Sequence, residues 1–144
     1  MSGQSKSNQG RHEERKEAFY LLFEQIFQKQ SIDVIIEEAI DARDAAVGSY
    51  TKRLAKGVEE NCGQLDELIG SKLKGWTISR ISKVSLSIMR IAVYEMLYEK
   101  EVPVSVSINE AVELAKEFAT PDDASYVNGV LGAVAKSLES SGEK

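Results

Sequence analysis

Four cationic or ionisable side chains, Arg11, His12, Arg15 and Lys16, crowd the start of this chain. On a helix of 3.6 residues per turn they share one side, while Glu13, Glu14 and Glu17 fall on the other. A guanidinium offers a planar fork to a phosphate or a base edge, and an ammonium offers a point charge. These residues are therefore a candidate site for phosphate or a base edge. The helix dipole disfavours cations at an N-terminus, so local stability does not call for them there. The same pattern also fits an ordinary solvated helix start. Residues 1–16 carry a net +2, which leaves −7 for the rest of a chain whose total is −5. The chain has a basic head and an acidic body.

Other chemistry is sparse. His12 and Cys62 are the only histidine and cysteine, so no cluster of soft ligands is available for zinc or iron. No glycine-rich phosphate loop is present. The acids Asp122 and Asp123 follow Thr120 and Pro121, where a helix start explains them. Asn109 and Asn128 are expected to satisfy backbone groups between helices, not to bind metal. The expectation is a protein that is not an enzyme and carries no catalytic residue, cofactor or metal. A lone cysteine forms no internal disulfide, which points to a reducing cytoplasm. No apolar run reaches the ~18–20 residues of a membrane span, and residues 1–10 lack the apolar core of a secretory signal.

The elements that must position these residues are helical almost throughout, because the apolar period is close to 3.6. Residues 1–10 read as a disordered tail and residues 140–144 as a frayed end, around one helical domain over residues 11–139. A first helix runs from about Arg11 to Gln30, with Ala18, Leu22 and Ile26 on its apolar face. Tyr20, Phe23 and Phe27 form a stripe beside that face. Ser31 or Asp33 can cap a second helix carrying Ile35, Ile36 and Ile40. Ser49 can cap a long third helix through Leu54, Val58, Cys62, Leu65 and Ile69. Gly70 and Gly75 weaken its end, and Trp76 and Ile78 are expected to seal the join that follows.

A fourth helix covers about Lys83 to Lys100. Pro103 interrupts the chain, and Ser107 with Glu110 reads as a capping box for a fifth helix. Pro121 opens a sixth, in which Gly129 and Gly132 are expected to admit another helix at close range. The fold class expected is all-α: two packed three-helix bundles, about residues 11–75 and 76–139.

The second half resembles the NusB family. The residues that carry the resemblance are Arg90-Ile91-Ala92-Val93-Tyr94-Glu95, then Pro103, then Ile108-Asn109-Glu110-Ala111-Val112-Glu113-Leu114-Ala115-Lys116, then Tyr126-Val127-Asn128-Gly129-Val130-Leu131. Weaker similarity extends through Leu73-Lys74-Gly75-Trp76 back to Arg15, Ala18 and Leu22. The resemblance implies a cytoplasmic transcription antitermination factor. With the ribosomal protein NusE it would hold boxA-type single-stranded RNA in nascent transcripts, notably of ribosomal RNA operons. RNA polymerase would be engaged indirectly, through the elongation complex. It implies RNA contacts from Arg11, His12, Arg15 and Lys16. It implies partner contacts from Phe23, Ser85, Asp122 and Tyr126: Phe23 stands where the family has a tyrosine at the NusE surface, and Ser85 stands where some relatives carry an acid. Two alternatives stay open: a helical protein-binding adaptor, and an RNA-targeting accessory domain without an antitermination role.

Overall fold

The structure, a computed structural model, describes residues 3–44 and 46–140. The expected tail and frayed end therefore lie partly outside the described residues, at 1–2 and 141–144. Seven α-helices follow in order: α1 (Gly3–Gln28), α2 (Ile32–Arg43), α3 (Ser49–Glu60), α4 (Cys62–Gly70), α5 (Lys83–Tyr98), α6 (Val104–Phe118) and α7 (Pro121–Ser140). A 3-10 turn, Ile78–Arg80, sits in the connection between α4 and α5. No strand occurs among the described residues. α1 begins within the stretch read from composition as a tail.

α5 is the central element. It packs against α1, α3, α4, α6 and α7, and nearly every side chain from Ser85 to Met96 is buried. A helix apolar on every side belongs inside a bundle. α1 brings Ala18, Phe19, Leu21 and Leu22 into the same core, α3 brings Leu54, Ala55 and Val58, and α7 brings Val127, Leu131 and Val134. A fully buried side chain such as Leu54 or Leu131 contributes about 1.5–3 kcal/mol.

Several local expectations change once packing is known. The long third helix is two helices, broken at Asn61. Ser49 does not cap α3: Gly48 occupies the cap, and the Glu14 carboxylate, from α1, accepts the Tyr50 N–H at 3.2 Å. A Cβ at Gly48 would overlap that carboxylate, so glycine leaves room for a cap supplied from another helix. Glu59 serves α2 in the same way, accepting from Ile32 N–H at 2.9 Å, in addition to the expected Ser31 cap.

α6 starts at Val104, with Pro103 as its cap residue, so Ser107 and Glu110 form no capping box. Tertiary contacts claim both side chains instead. The reciprocal box is real at α7: Asp123 N–H donates to Thr120 Oγ1 at 3.0 Å, and Thr120 N–H donates to Asp123 Oδ2 at 3.3 Å. Gly129 and Gly132 admit no neighbour, since a Cβ at either would meet nothing within 4 Å. The close approach is at Gly57, where a Cβ would overlap the Tyr94 ring. Of the two residues expected to seal the join after α4, Ile78 packs against the core, whereas Trp76 is 50% exposed.

Candidate nucleic-acid and partner interface

The head is anchored from within. Glu95 is 1% exposed and accepts from Arg15 Nε at 2.8 Å, from Ser107 Oγ at 2.9 Å and from the Tyr50 hydroxyl. One carboxylate thereby joins α1, α3, α5 and α6. Burial, and then the Glu95 charge, push the Tyr50 hydroxyl well above its ordinary pKa. Arg15 is therefore not an exposed cation, as its sequence position suggested, but a buried one. Burying a charge is tolerated only with such pairing.

The other head residues are also held by acids. His12 Nδ1 lies 2.7 Å from Glu110 Oε1, and the Arg15 guanidinium reaches the same carboxylate at 3.7 Å. Lys16 Nζ lies 3.2 Å from Glu117, which raises its pKa above the usual lysine value. Arg11 pairs with Glu14 at 3.2 Å and lies 4.0 Å over the Tyr50 ring. Of the four expected RNA contacts, His12, Arg15 and Lys16 reach acids of α6 whereas Arg11 stacks on Tyr50 of α3, and each has an acidic partner. Glu14, on the acidic side of the helix, supplies the α3 cap. Asn109 and Asn128 are exposed, so they do not bridge backbone groups between helices.

The expected partner-binding residues divide. Ser85, Asp122 and Tyr126 line one cavity of about 280 Å³, together with Trp76, Arg80, Ile81, Ser82 and Asp123. Its wall is made where the α4–α5 connection, the start of α5 and the start of α7 meet. The Ser85 and Tyr126 hydroxyl oxygens are buried and make no hydrogen bond among the described residues. Burial also raises the Tyr126 pKa.

Phe23 stands apart, on α1. It is half-buried beside Phe19 and Phe27, at ring separations of 5.8 and 5.1 Å, with Tyr20 and Phe27 exposed at 49% and 60%. The aromatic stripe of α1 is thus partly exposed, and Phe118 of α6 extends it at 5.1 Å from Phe19.

Residue types alone did not single out Glu95, Tyr50 or Trp76 as site residues. An acid inside the apolar run Ile91–Met96 was the available signal for Glu95, since a carboxylate in a core requires partners. Among the described residues, no group of three or more His, Cys, Asp or Glu is placed to hold a metal. No described helix is long and apolar enough to cross a membrane.

Residues 12–136 match the model of the NusB family. The chain is 38% identical over 139 residues to a transcription antitermination protein NusB of Clostridium botulinum, covering 85% of this chain and 96% of that protein. Its fold is similar to that of T. maritima NusB, with TM-score 0.78 and 34% identity over 88% of this chain and 90% of the other. It is similar in fold to a chain from a crystal structure of the antitermination factors NusB and NusE in complex with double-stranded RNA. That match has TM-score 0.79 and 23% identity, over 88% of this chain and 96% of the other.

Proposed function

The chain belongs to the NusB family, and we propose that it is a transcription antitermination factor which binds boxA RNA together with the ribosomal protein NusE. Its targets are nascent transcripts, notably of ribosomal RNA operons, and its effect is to help RNA polymerase read through terminators, with an indirect contact to the elongation complex. It works in the cytoplasm and catalyses nothing. The family match over residues 12–136 carries this reading.

The geometry is compatible with a division of labour. Arg11, His12 and Lys16 present this stretch of α1 to RNA, and Arg15 anchors it through Glu95 and Glu110. Phe23 and the cavity at Ser85, Asp122 and Tyr126 offer two separate places for a partner. Paired head cations give up their acids only in part to phosphate, so RNA alone binds weakly. A basic partner covering acidic surface strengthens the contact, and by linkage RNA strengthens the partner contact equally, with a coupling typically of about 1–3 kcal/mol.

The test is calorimetric titration of boxA and scrambled RNA into the chain alone and into its complex with the NusE homologue. Preference for boxA and tighter binding to the complex are expected. NusE binding with no RNA affinity in either titration would replace this reading with a protein-binding adaptor.

A further inference from the structure

Among the acid pairs of the head, one fixes more than a charge. His12 Nδ1 lies 2.7 Å from Glu110 Oε1. A carboxylate accepts and does not donate, so the nitrogen facing Glu110 carries a hydrogen whether the ring is neutral or charged. The contact thereby selects one tautomer, in which Nε2 of the neutral ring is a bare acceptor. Nε2 makes no hydrogen bond among the described residues, and the side chain is 32% exposed. Glu110 is braced from the other side by the Arg15 guanidinium at 3.7 Å, which Glu95 holds in turn at 2.8 Å.

The charges around His12 are otherwise committed. On α1, Arg11 pairs with Glu14 at 3.2 Å, and Lys16 lies 3.9 Å from Glu13 and 3.2 Å from Glu117 of α6. Further along α6, Glu113 pairs with Lys116 at 3.5 Å. On α3 and α5, Arg53 meets Glu99 at 3.0 Å and Glu95 meets Arg15. Arginine and lysine stay cationic, whereas imidazole is the side chain that changes charge between about pH 5 and 8. His12 is the only histidine.

A backbone phosphate offers oxygen acceptors and no donor. It cannot bond to the neutral ring at Nε2, where acceptor would face acceptor. A second proton turns Nε2 into a charged N–H donor, and a short charge-assisted bond to phosphate becomes available. A 2′-hydroxyl or a base N–H is the opposite case: it donates to the bare Nε2 and needs no proton. Phosphate is the favoured occupant because Arg11 and Lys16 flank His12 in the sequence, and their partly exposed pairs are weak enough for phosphate to compete.

We propose that His12 takes an RNA phosphate at Nε2 only when its ring is doubly protonated, so that RNA binding at the head draws one proton from solution. This contact rests on the reading of the head as an RNA site and adds to it the chemical condition under which one residue engages.

The experiment titrates boxA RNA into the chain alone and into its complex with the NusE homologue, between about pH 5 and 8 at constant ionic strength. The RNA lacks terminal phosphates, so it has no group titrating in that window. Wild type, His12→Gln and His12→Arg are compared. Wild-type affinity should fall on the alkaline side, relative to His12→Arg, by up to about tenfold per pH unit, the limit for one linked proton. His12→Gln should stay at the weak alkaline level throughout, and His12→Arg at the tight acid level. Calorimetry in buffers of different ionisation enthalpy should show proton uptake by wild type in excess of both variants. Ring-nitrogen chemical shifts of the free chain at alkaline pH should place the hydrogen on Nδ1.

Wild-type RNA binding with the same pH dependence and proton uptake as His12→Gln overturns the contact and leaves the head standing as an RNA site. Loss of affinity in His12→Gln without excess proton uptake by wild type gives Nε2 to a hydroxyl or base donor of the RNA, and also overturns it. So does a free chain whose neutral ring carries its hydrogen on Nε2. Absence of RNA binding at every pH, with and without the NusE homologue, removes the contact and the reading on which it rests.

Discussion

The protein has two basic regions, and they differ in what surrounds the charge. In the head, Arg11, His12, Arg15 and Lys16 are each met by a carboxylate, and Arg15 is drawn into the core. In the connection between α4 and α5 and at the first residue of α5, Lys72, Lys74, Arg80 and Lys83 have no such partner among the described residues. The first region is positioned but partly neutralised; the second is available but is carried by turns and one 3-10 segment. A count of cations therefore says little about binding until each has been checked for an acid within reach. Exposed pairs such as Arg11–Glu14 contribute only about 0–1 kcal/mol, so RNA can compete for them. The Arg15–Glu95 pair is a different case.

The largest expected effect tests that difference. Glu95→Ala leaves Arg15 charged and buried without its main partner, and such a loss costs about 3–5 kcal/mol. The midpoint of chemical denaturation should fall accordingly; an unchanged midpoint would mean the head is not anchored through the core. Arg15→Ala should also destabilise, so it is unsuitable as a pure RNA-binding variant.

A second contrast of the same kind separates two helical glycines. Gly57→Leu forces the Tyr94 ring aside, and overpacking typically costs about 1–3 kcal/mol. Gly129→Leu projects into open space and should stay within about 0.5 kcal/mol. Equal melting temperatures for the two variants would remove the distinction.

Alkaline pH probes the anchor more gently. Burial and the nearby Glu99 charge push the Tyr94 hydroxyl from 10.0 up to about 12, and Tyr50 is raised further by burial and Glu95. Raised folded values mean the unfolded chain loses these protons first. The stability they contribute is complete below pH 10 and declines as pH rises toward about 12. Urea midpoints should fall across that window, and Tyr94→Phe or Tyr50→Phe should flatten the fall. The smallest effect on stability belongs to Arg11→Ala, at most about 0.5 kcal/mol, accompanied by weaker RNA binding in a low-salt gel shift. Unaltered RNA affinity would remove Arg11 from the interface.

Much of the helical order was legible from periodicity, because the apolar spacing of α1, α5 and α7 records which side each buries. The Thr120–Asp123 box was legible because cap and acceptor are neighbours in sequence. Ser107 and Glu110 match the same spacing, but Pro103 already supplies the cap geometry of α6. Glu95 and His12, distant in sequence, take the two side chains. Gly129 misled for a related reason: a glycine states that room is possible, and only the facing helix decides whether it is used. The union of Ser85, Asp122 and Tyr126 in one cavity depends on α5 and α7 starting side by side, which no local pattern encodes. The exposure of Trp76 ran against its apolar character.

The caps that α2 and α3 receive have a consequence for how the chain folds. Glu14 and Glu59 close helix ends that lie 36 and 27 residues away in sequence, so an isolated α3 fragment lacks the Glu14 acceptor for its first turn. That helix gains its cap only when α1 has docked, and α2 gains its second acceptor only when α3 has formed. Nucleation of a helix is costly on its own, and here part of the compensation is deferred until distant segments meet. The N-terminal helices should then assemble as one cooperative unit, and the Tyr50 and Ile32 amides should exchange with solvent through opening of that whole unit rather than through fraying of single helices.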